Sequence, residues 1–418
     1  MAIFALFSML SKETGFMLVL LLPAFYYFLN RKTPLTFHLT VIGFFVIIVS
    51  ALLSLGNRIY IVENSYLQTI IKGLKLGGLF LYKIFNWSLI TPYSACLLEG
   101  IGNLAVALTL ITLTGLIILI AAGYKRKSPL SFFALWIIIT VVPGLYVSLS
   151  KNYRLPGSDR FLYSVMPAVA FLLVFFLFKY LKKASIAAVS VLIVLSAYSS
   201  HKQSSIWHDN YSLWRAASVQ CKNQWTYPLL GYALSALEKN PSEAEMLLQK
   251  IINGTDSGRL KTLYPAESSL YRLNAIVRLG TFYEKRKKLK GANQLFERAL
   301  KEFDKLLADY PRITRWELGG INYLIGYHYY LRAVREQRMD YIKTALKQAD
   351  YAIKYRPTDI KPYQLKTDIL LGIKDCKNAY REIATMYKLF GRTKAVLNTI
   401  SKFKKICTYS SESLEPHH

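Results

Sequence analysis

Apolar and polar positions are distributed unevenly along this chain. Up to about residue 200 it consists of long apolar runs broken by short polar turns. Beyond that point apolar residues recur at helical spacing among Lys, Tyr, Glu and Leu, with no long apolar run. A bilayer core takes roughly 20 apolar residues, with about 17 to 25 usual. His38–Leu55, Ile101–Gly123, Ser131–Leu149 and Phe161–Phe178 meet that length, and Ala184–Ser199 is shorter. Near the start, Lys12 and Glu13 separate two apolar runs, which predicts the end of one helix, a polar turn and a second helix over Gly15–Leu29. The pattern predicts an all-α protein. Residues 1–200 form a polytopic transmembrane helix bundle of about six or seven spans. Residues 201–405 form a second helical domain, and 406–418 a polar tail.

Charge orients the spans. Three turns, Asn30–Thr33, Tyr124–Lys127 and Lys179–Lys183, are short and basic and belong on the cytoplasmic side. Alternation then puts Ser11–Thr14, Gly56–Gly100, Ser150–Arg160 and everything after residue 200 on the opposite, extracytoplasmic or lumenal side. Within Gly56–Gly100, Lys72, Lys75 and Lys83 recur among apolar residues at helical spacing. That suits a helix lying in the interface with its lysines towards headgroups; the alternative is a poor span packed inside the bundle.

Composition changes the picture only in part. The chain has 418 residues, 53% of them hydrophobic, and a formal charge of +28. So basic a chain meets phospholipid headgroups, polyprenyl phosphates or other acidic partners, or simply carries Lys-rich cytoplasmic loops. Nucleic acid is excluded as a partner for want of any recognition motif. The four cysteines, Cys96, Cys221, Cys376 and Cys407, form no CxxC or Cys/His spacing, so no metal site is assigned.

The outer boundary of the bundle gathers the candidate chemistry. Lys12, Glu13, Lys151, Arg154, Asp159, Arg160 and Tyr163 all fall there, with Arg160 and Tyr163 one helical turn apart. Lys and Arg at that depth suit the phosphate of a lipid-linked sugar, Arg through a bidentate fork. A carboxylate there serves to hold a divalent metal, orient a hydroxyl or act as base. The bland alternative is a Lys12–Glu13 pair and cations that snorkel at helix ends.

After residue 224 the residues follow a repeat. Leu279, Gly280, Tyr283, Ala292, Phe296 and Ala299 stand in the register of a tetratricopeptide unit, with Pro311 late after a lengthened second helix. Gly326, Tyr329, Ala345, Ala352 and Pro357 repeat it with a longer turn between the helices. Two weaker units flank these, one with Leu230, Gly231, Ala244 and Leu247, the other with Tyr363, Leu370 and Ala379. The expected architecture is a tetratricopeptide-repeat α-solenoid whose groove binds a protein, with Tyr283, Tyr323, Tyr327 and Tyr330 as groove wall.

Four segments together carry a resemblance. "LSKETGFMLVLLLP" resembles the Ser-Lys-Glu signature of polytopic GT-C-class glycosyltransferases, and "SDRFLYSVMPAVAFLL" resembles their "ERYLYLP" segment. Trp136 and Pro143 match the span before it, and Trp207, Asp209 and Leu213 the passage from the last span into repeats. Over roughly residues 5 to 390 the chain resembles protein O-mannosyltransferase-like membrane proteins with C-terminal tetratricopeptide repeats. The resemblance implies transfer of a sugar from a polyprenyl-phosphate donor, with or without a divalent metal, to a protein or glycan held by the repeats. It implies donor-phosphate roles for Lys12, Glu13, Arg154, Arg160 and Tyr163. The acidic loop that supplies the family's catalytic base has no counterpart here. The chain is thus expected to be the C-terminal portion of such an enzyme, or a non-catalytic membrane-anchored scaffold. A ligase or flippase partner using the same basic site is a third possibility.

Overall fold

The computed structural model describes residues 66–85, 102–149, 164–262, 265–311 and 316–407, with single positions at 21, 24, 27, 28, 93, 96, 97 and 313. Among the described residues all regular structure is helical: fifteen helices and no strand. The chain divides into two compact units, residues 1–223 and 224–418.

The first unit contains α1 (Tyr66–Phe85), α2 (Asn103–Tyr124), α3 (Pro129–Leu149), α4 (Met166–Leu181), α5 (Ala184–Ile206) and α6 (Asn210–Gln220). Helices α2 to α5 coincide with the four apolar runs expected after residue 100. Among the described residues α2 and α5 are long and apolar enough to cross a membrane; α4 and the Pro129–Val141 part of α3 are apolar but shorter. The expected spans before residue 56 lie outside the described residues. The basic turns after α2 and α4 reverse the chain, each with one lysine, Lys127 or Lys182, in the left-handed region. Helix α5 runs through the expected domain boundary at 200. Asp209 then starts α6 by accepting the Ser212 N–H at 2.8 Å, while the Ser212 hydroxyl accepts from the Asp209 backbone.

Helix α1 departs from the interfacial expectation at Lys83. It packs against α2 and α3, and Lys83 is only 1% exposed. The reason is steric: Gly77 and Gly78 let α1 approach Thr109 and Ala105 of α2 so closely that a Cβ on either would collide. Thr109 seals the contact by donating to the Leu74 carbonyl at 3.0 Å.

The second unit holds α7 (Thr226–Lys239), α8 (Pro241–Asp256), α9 (Pro265–Lys285), α10 (Leu289–Asp309), α11 (Trp316–Glu336), α12 (Met339–Tyr355), α13 (Ile360–Gly372), α14 (Cys376–Phe390) and α15 (Lys394–Ile406). Each helix packs on the next, and the odd-numbered ones also touch one another in series: α7 with α9, α9 with α11, α11 with α13, α13 with α15. The residues marked by sequence register lie in these contacts, with Leu279, Ala292, Phe296, Ala299, Ala345 and Ala379 all buried. The turn after α9, α11 and α13 repeats one device, a non-glycine residue at positive φ: Lys287, Gln337 and Lys374. The extra residues of the Gly326 unit lengthen helix rather than turn, since α11 continues to Glu336 and α12 begins at Met339.

All four cysteines pair, a connection their spacing had not suggested. Cys96 joins Cys221 within the first unit, with Cα atoms 5.5 Å apart. Cys376 joins Cys407 in the second, at 5.8 Å, tying α14 to the end of α15. Both separations suit a disulfide.

A contact between helices that is sensitive to added volume is at Gly280, where a Cβ would stand 2.9 Å from the Phe296 ring. Gly280→Ala is expected to lower the unfolding free energy of the second unit by about 1–3 kcal/mol, read by denaturant titration.

Candidate functional site

Two places concentrate unusual chemistry, one in each unit. In the first unit an apolar cleft of about 780 Å³ opens between α1, α2, α3 and α4. Its walls include Gly73 and Gly77 of α1, Leu113 of α2, Ile138 of α3, and Leu173 and Phe176 of α4. Lining positions run from Val165 to Leu181, about 24 Å of α4 at 1.5 Å per residue. Trp136 fixes α3 against the entry to α4, its indole N–H donating to the Ser164 carbonyl at 2.9 Å. Phe133 of α3 and Phe171 of α4 stack with ring centroids 3.8 Å apart. A cleft of this size and lining suits a hydrocarbon chain better than a polar molecule.

The donor-phosphate residues expected at the mouth of the bundle, Lys12, Glu13, Arg154, Arg160 and Tyr163, lie outside the described residues. Lys83 was missed as a candidate.

In the second unit α11 carries a stripe of aromatic residues. Trp316, Tyr323 and Tyr327 fall at i, i+7 and i+11, which is one helix face. Tyr323 and Tyr327 stack with centroids 6.3 Å apart, and Tyr327 is 43% exposed. Tyr330 stands beside them, its hydroxyl 3.5 Å from the Asp368 carbonyl of α13. Burial raises the pKa of both Tyr323 and Tyr330, with nearby charge adding to it: Tyr327, Asp359 and Asp368 for Tyr323, and chiefly Asp368 for Tyr330. Burial, assisted by Glu297, pushes Tyr329 up to about 12, so these phenols stay neutral hydrogen-bonding groups at physiological pH. Lys402 of α15 pairs with Asp368 at 3.0 Å across the same face.

Tyr283 is used differently. It is on α9, and its hydroxyl donates to Glu245 of α8 at 2.7 Å while Lys288 sits over its ring. The structure thus brings Tyr323, Tyr327 and Tyr330 together and engages Tyr283 between α8 and α9. Beneath the stripe His328 is fully buried, 2.9 Å from Glu284 and stacked on Phe296.

No protein-family model matches this chain, and no curated protein matches its sequence.

The two kinds of tyrosine separate by measurement. Tyr283→Phe is expected to cost about 1 kcal/mol of stability through loss of the Glu245 hydrogen bond. Tyr327→Ala, exposed at the stripe, is expected to stay within about 0.5 kcal/mol of the parent. Equilibrium unfolding of the two variants checks both.

Proposed function

We propose that this chain is a GT-C-like membrane glycosyltransferase or a portion of one. In this reading it takes a sugar from a polyprenyl-phosphate donor on the extracytoplasmic or lumenal face. A tetratricopeptide-repeat array over residues 224–405 holds the protein or glycan acceptor. The observation that carries the reading is the apolar cleft along α4, whose length and lining fit a prenyl chain.

Other features support parts of it. The serial contacts of α7, α9, α11, α13 and α15 agree with stacked helix pairs, and the recurrent left-handed turn agrees with one repeated unit. Pairing of all four cysteines suits an oxidising compartment, which agrees with the orientation drawn from the basic turns. The divisions of labour are simple: the cleft binds the lipid, Lys12, Arg154 and Arg160 hold its phosphate, and the array presents an acceptor.

The test is donor binding by the full chain in lipid nanodiscs, with a polyprenyl-phosphate-linked hexose as ligand. Lys12→Ala and Arg160→Ala are each expected to weaken binding by roughly tenfold, the loss of one charge-assisted contact. Leu173→Trp, which fills the cleft, is expected to weaken it comparably. Unchanged binding in all three sinks the reading, and the non-catalytic scaffold, with its repeats recruiting a partner, takes its place. A second check concerns the compartment. Protein isolated under thiol-blocking conditions is expected to show no free thiol until reduced, and four afterwards; free thiols before reduction contradict the outer placement.

A further inference from the structure

The C-terminal ends of α9, α11 and α13 stand side by side along one edge of the second unit. Arg335, near the end of α11, reaches Glu284, near the end of α9, at 3.7 Å. The Tyr330 hydroxyl of α11 is 3.5 Å from the Asp368 carbonyl of α13 and would meet a Cβ on Gly372, where α13 ends. The three turns that follow these helices therefore form one row.

Charge in this row is one-sided. The turn after α9 exposes Lys285, Arg286, Lys287, Lys288 and Lys290, and the turn after α13 exposes Lys374 and Lys377. The carboxylates nearby are already engaged. Glu284 stands 2.9 Å from the buried His328, and Glu336 pairs with Arg332 at 2.9 Å. Asp340 pairs with Arg338 at 2.6 Å, and Asp375 caps α14 by accepting the Asn378 N–H at 3.2 Å. Lys285, Lys287, Lys290 and Lys374 form no ion pair among the described residues. Arg286 and Lys288 lie over the Phe282 and Tyr283 rings, at 4.4 and 5.1 Å, which orients them without neutralising their charge.

Apolar side chains are exposed in the same row: Leu289 is 38%, Val334 61% and Met339 60% exposed. Cations interspersed with exposed apolar groups suit a lipid interface, where the cations meet phosphates and the apolar groups enter the headgroup boundary. A row of turns also presents its contacts to a plane, whereas a peptide calls for a groove. Helices α2 and α5 are long and apolar enough to cross a membrane, and a surface reached by the same chain is met at high effective concentration.

We propose that the turns after α9, α11 and α13 dock the second unit on an anionic phospholipid surface. Lys285, Lys287, Lys290 and Lys374 meet the headgroup phosphates, and Leu289 and Met339 enter the interface. This docking rests on membrane insertion of the first unit and is independent of any sugar donor or acceptor.

The test places the full chain in nanodiscs of phosphatidylcholine and in discs of an equal mixture of phosphatidylcholine and phosphatidylglycerol, all with acyl chains brominated near the headgroup. The readout is the tryptophan emission gained in Met339→Trp over the parent. It is expected to be quenched in the mixed discs and not in phosphatidylcholine alone. Lys285→Gln, Lys287→Gln and Lys290→Gln combined are expected to abolish that quenching. In the unaltered chain, tryptic cleavage after residues 285–288 is expected to be roughly tenfold slower in the mixed discs, the worth of one or two lysine–headgroup contacts. Cleavage after Arg259, which precedes the other end of α9, is expected to be unchanged. Equal quenching or equal protection in the two lipids overturns the anionic headgroup as the partner. Absence of both overturns the docking, and a response of the added tryptophan to soluble polyglutamate instead assigns the edge to an acidic protein. Quenching of the parent's own tryptophans in both discs reports insertion of the first unit; without it the membrane reading falls as well.

Discussion

The helix pairs of residues 224–418 depend on contacts in which one partner has almost no side chain. At Gly280 the Phe296 ring occupies the space where a Cβ would be, and at Gly326 the Ala345 carbonyl and a Leu365 methyl come within 3.2 and 3.3 Å of that position. Close approach lets Ala292, Ala299, Ala345 and Ala349 disappear completely from solvent. The large residues are then free to face the next pair, as Phe296 does by stacking on His328. Dispersion over many such contacts, rather than any single polar bond, holds the series together. The same economy of side chains recurs at Gly77 and Gly78 in the first unit, where α1 meets α2.

Tight packing has a functional counterpart in what remains exposed. On α11 the buried face takes Leu318, Ile321 and Ile325, which leaves Trp316, Tyr323 and Tyr327 to form a surface of fixed shape. Fixed aromatic side chains lose little conformational entropy when a ligand settles on them. Arg356 is pre-set in the same way, by a ring, a carbonyl and a carboxylate.

Helical periodicity carried much of this fold legibly. Leu279, Ala292, Phe296 and Ala299 are marked in the sequence because a buried seam repeats every three to four residues, and the seam is local. The apolar runs of α2 and α5 are legible for the same reason. Long-range pairings left no such trace. Cys96 and Cys221 are 125 residues apart, and nothing in their neighbours signals the bond. Arg356 reaches the Trp316 carbonyl from 40 residues away, so that contact follows from packing alone. Lys83 misled because its spacing fits an amphipathic helix equally well whether its polar face meets headgroups or protein. Of the candidate site, the tyrosine stripe is readable because Trp316, Tyr323 and Tyr327 recur at helical spacing.

The Cys96–Cys221 bond imposes a counting rule on the chain it encloses. If helices between them cross a bilayer, the two sulfurs can join only on one side of it, so the crossings must be even in number. Helices α2 and α5 alone satisfy the rule, and so do α2 to α5 together. Loss or gain of a single crossing anywhere in that segment would strand the two cysteines on opposite faces. For a chain inserted in a bilayer the bond would thus be a covalent record of correct threading, legible on a gel without knowledge of any other contact.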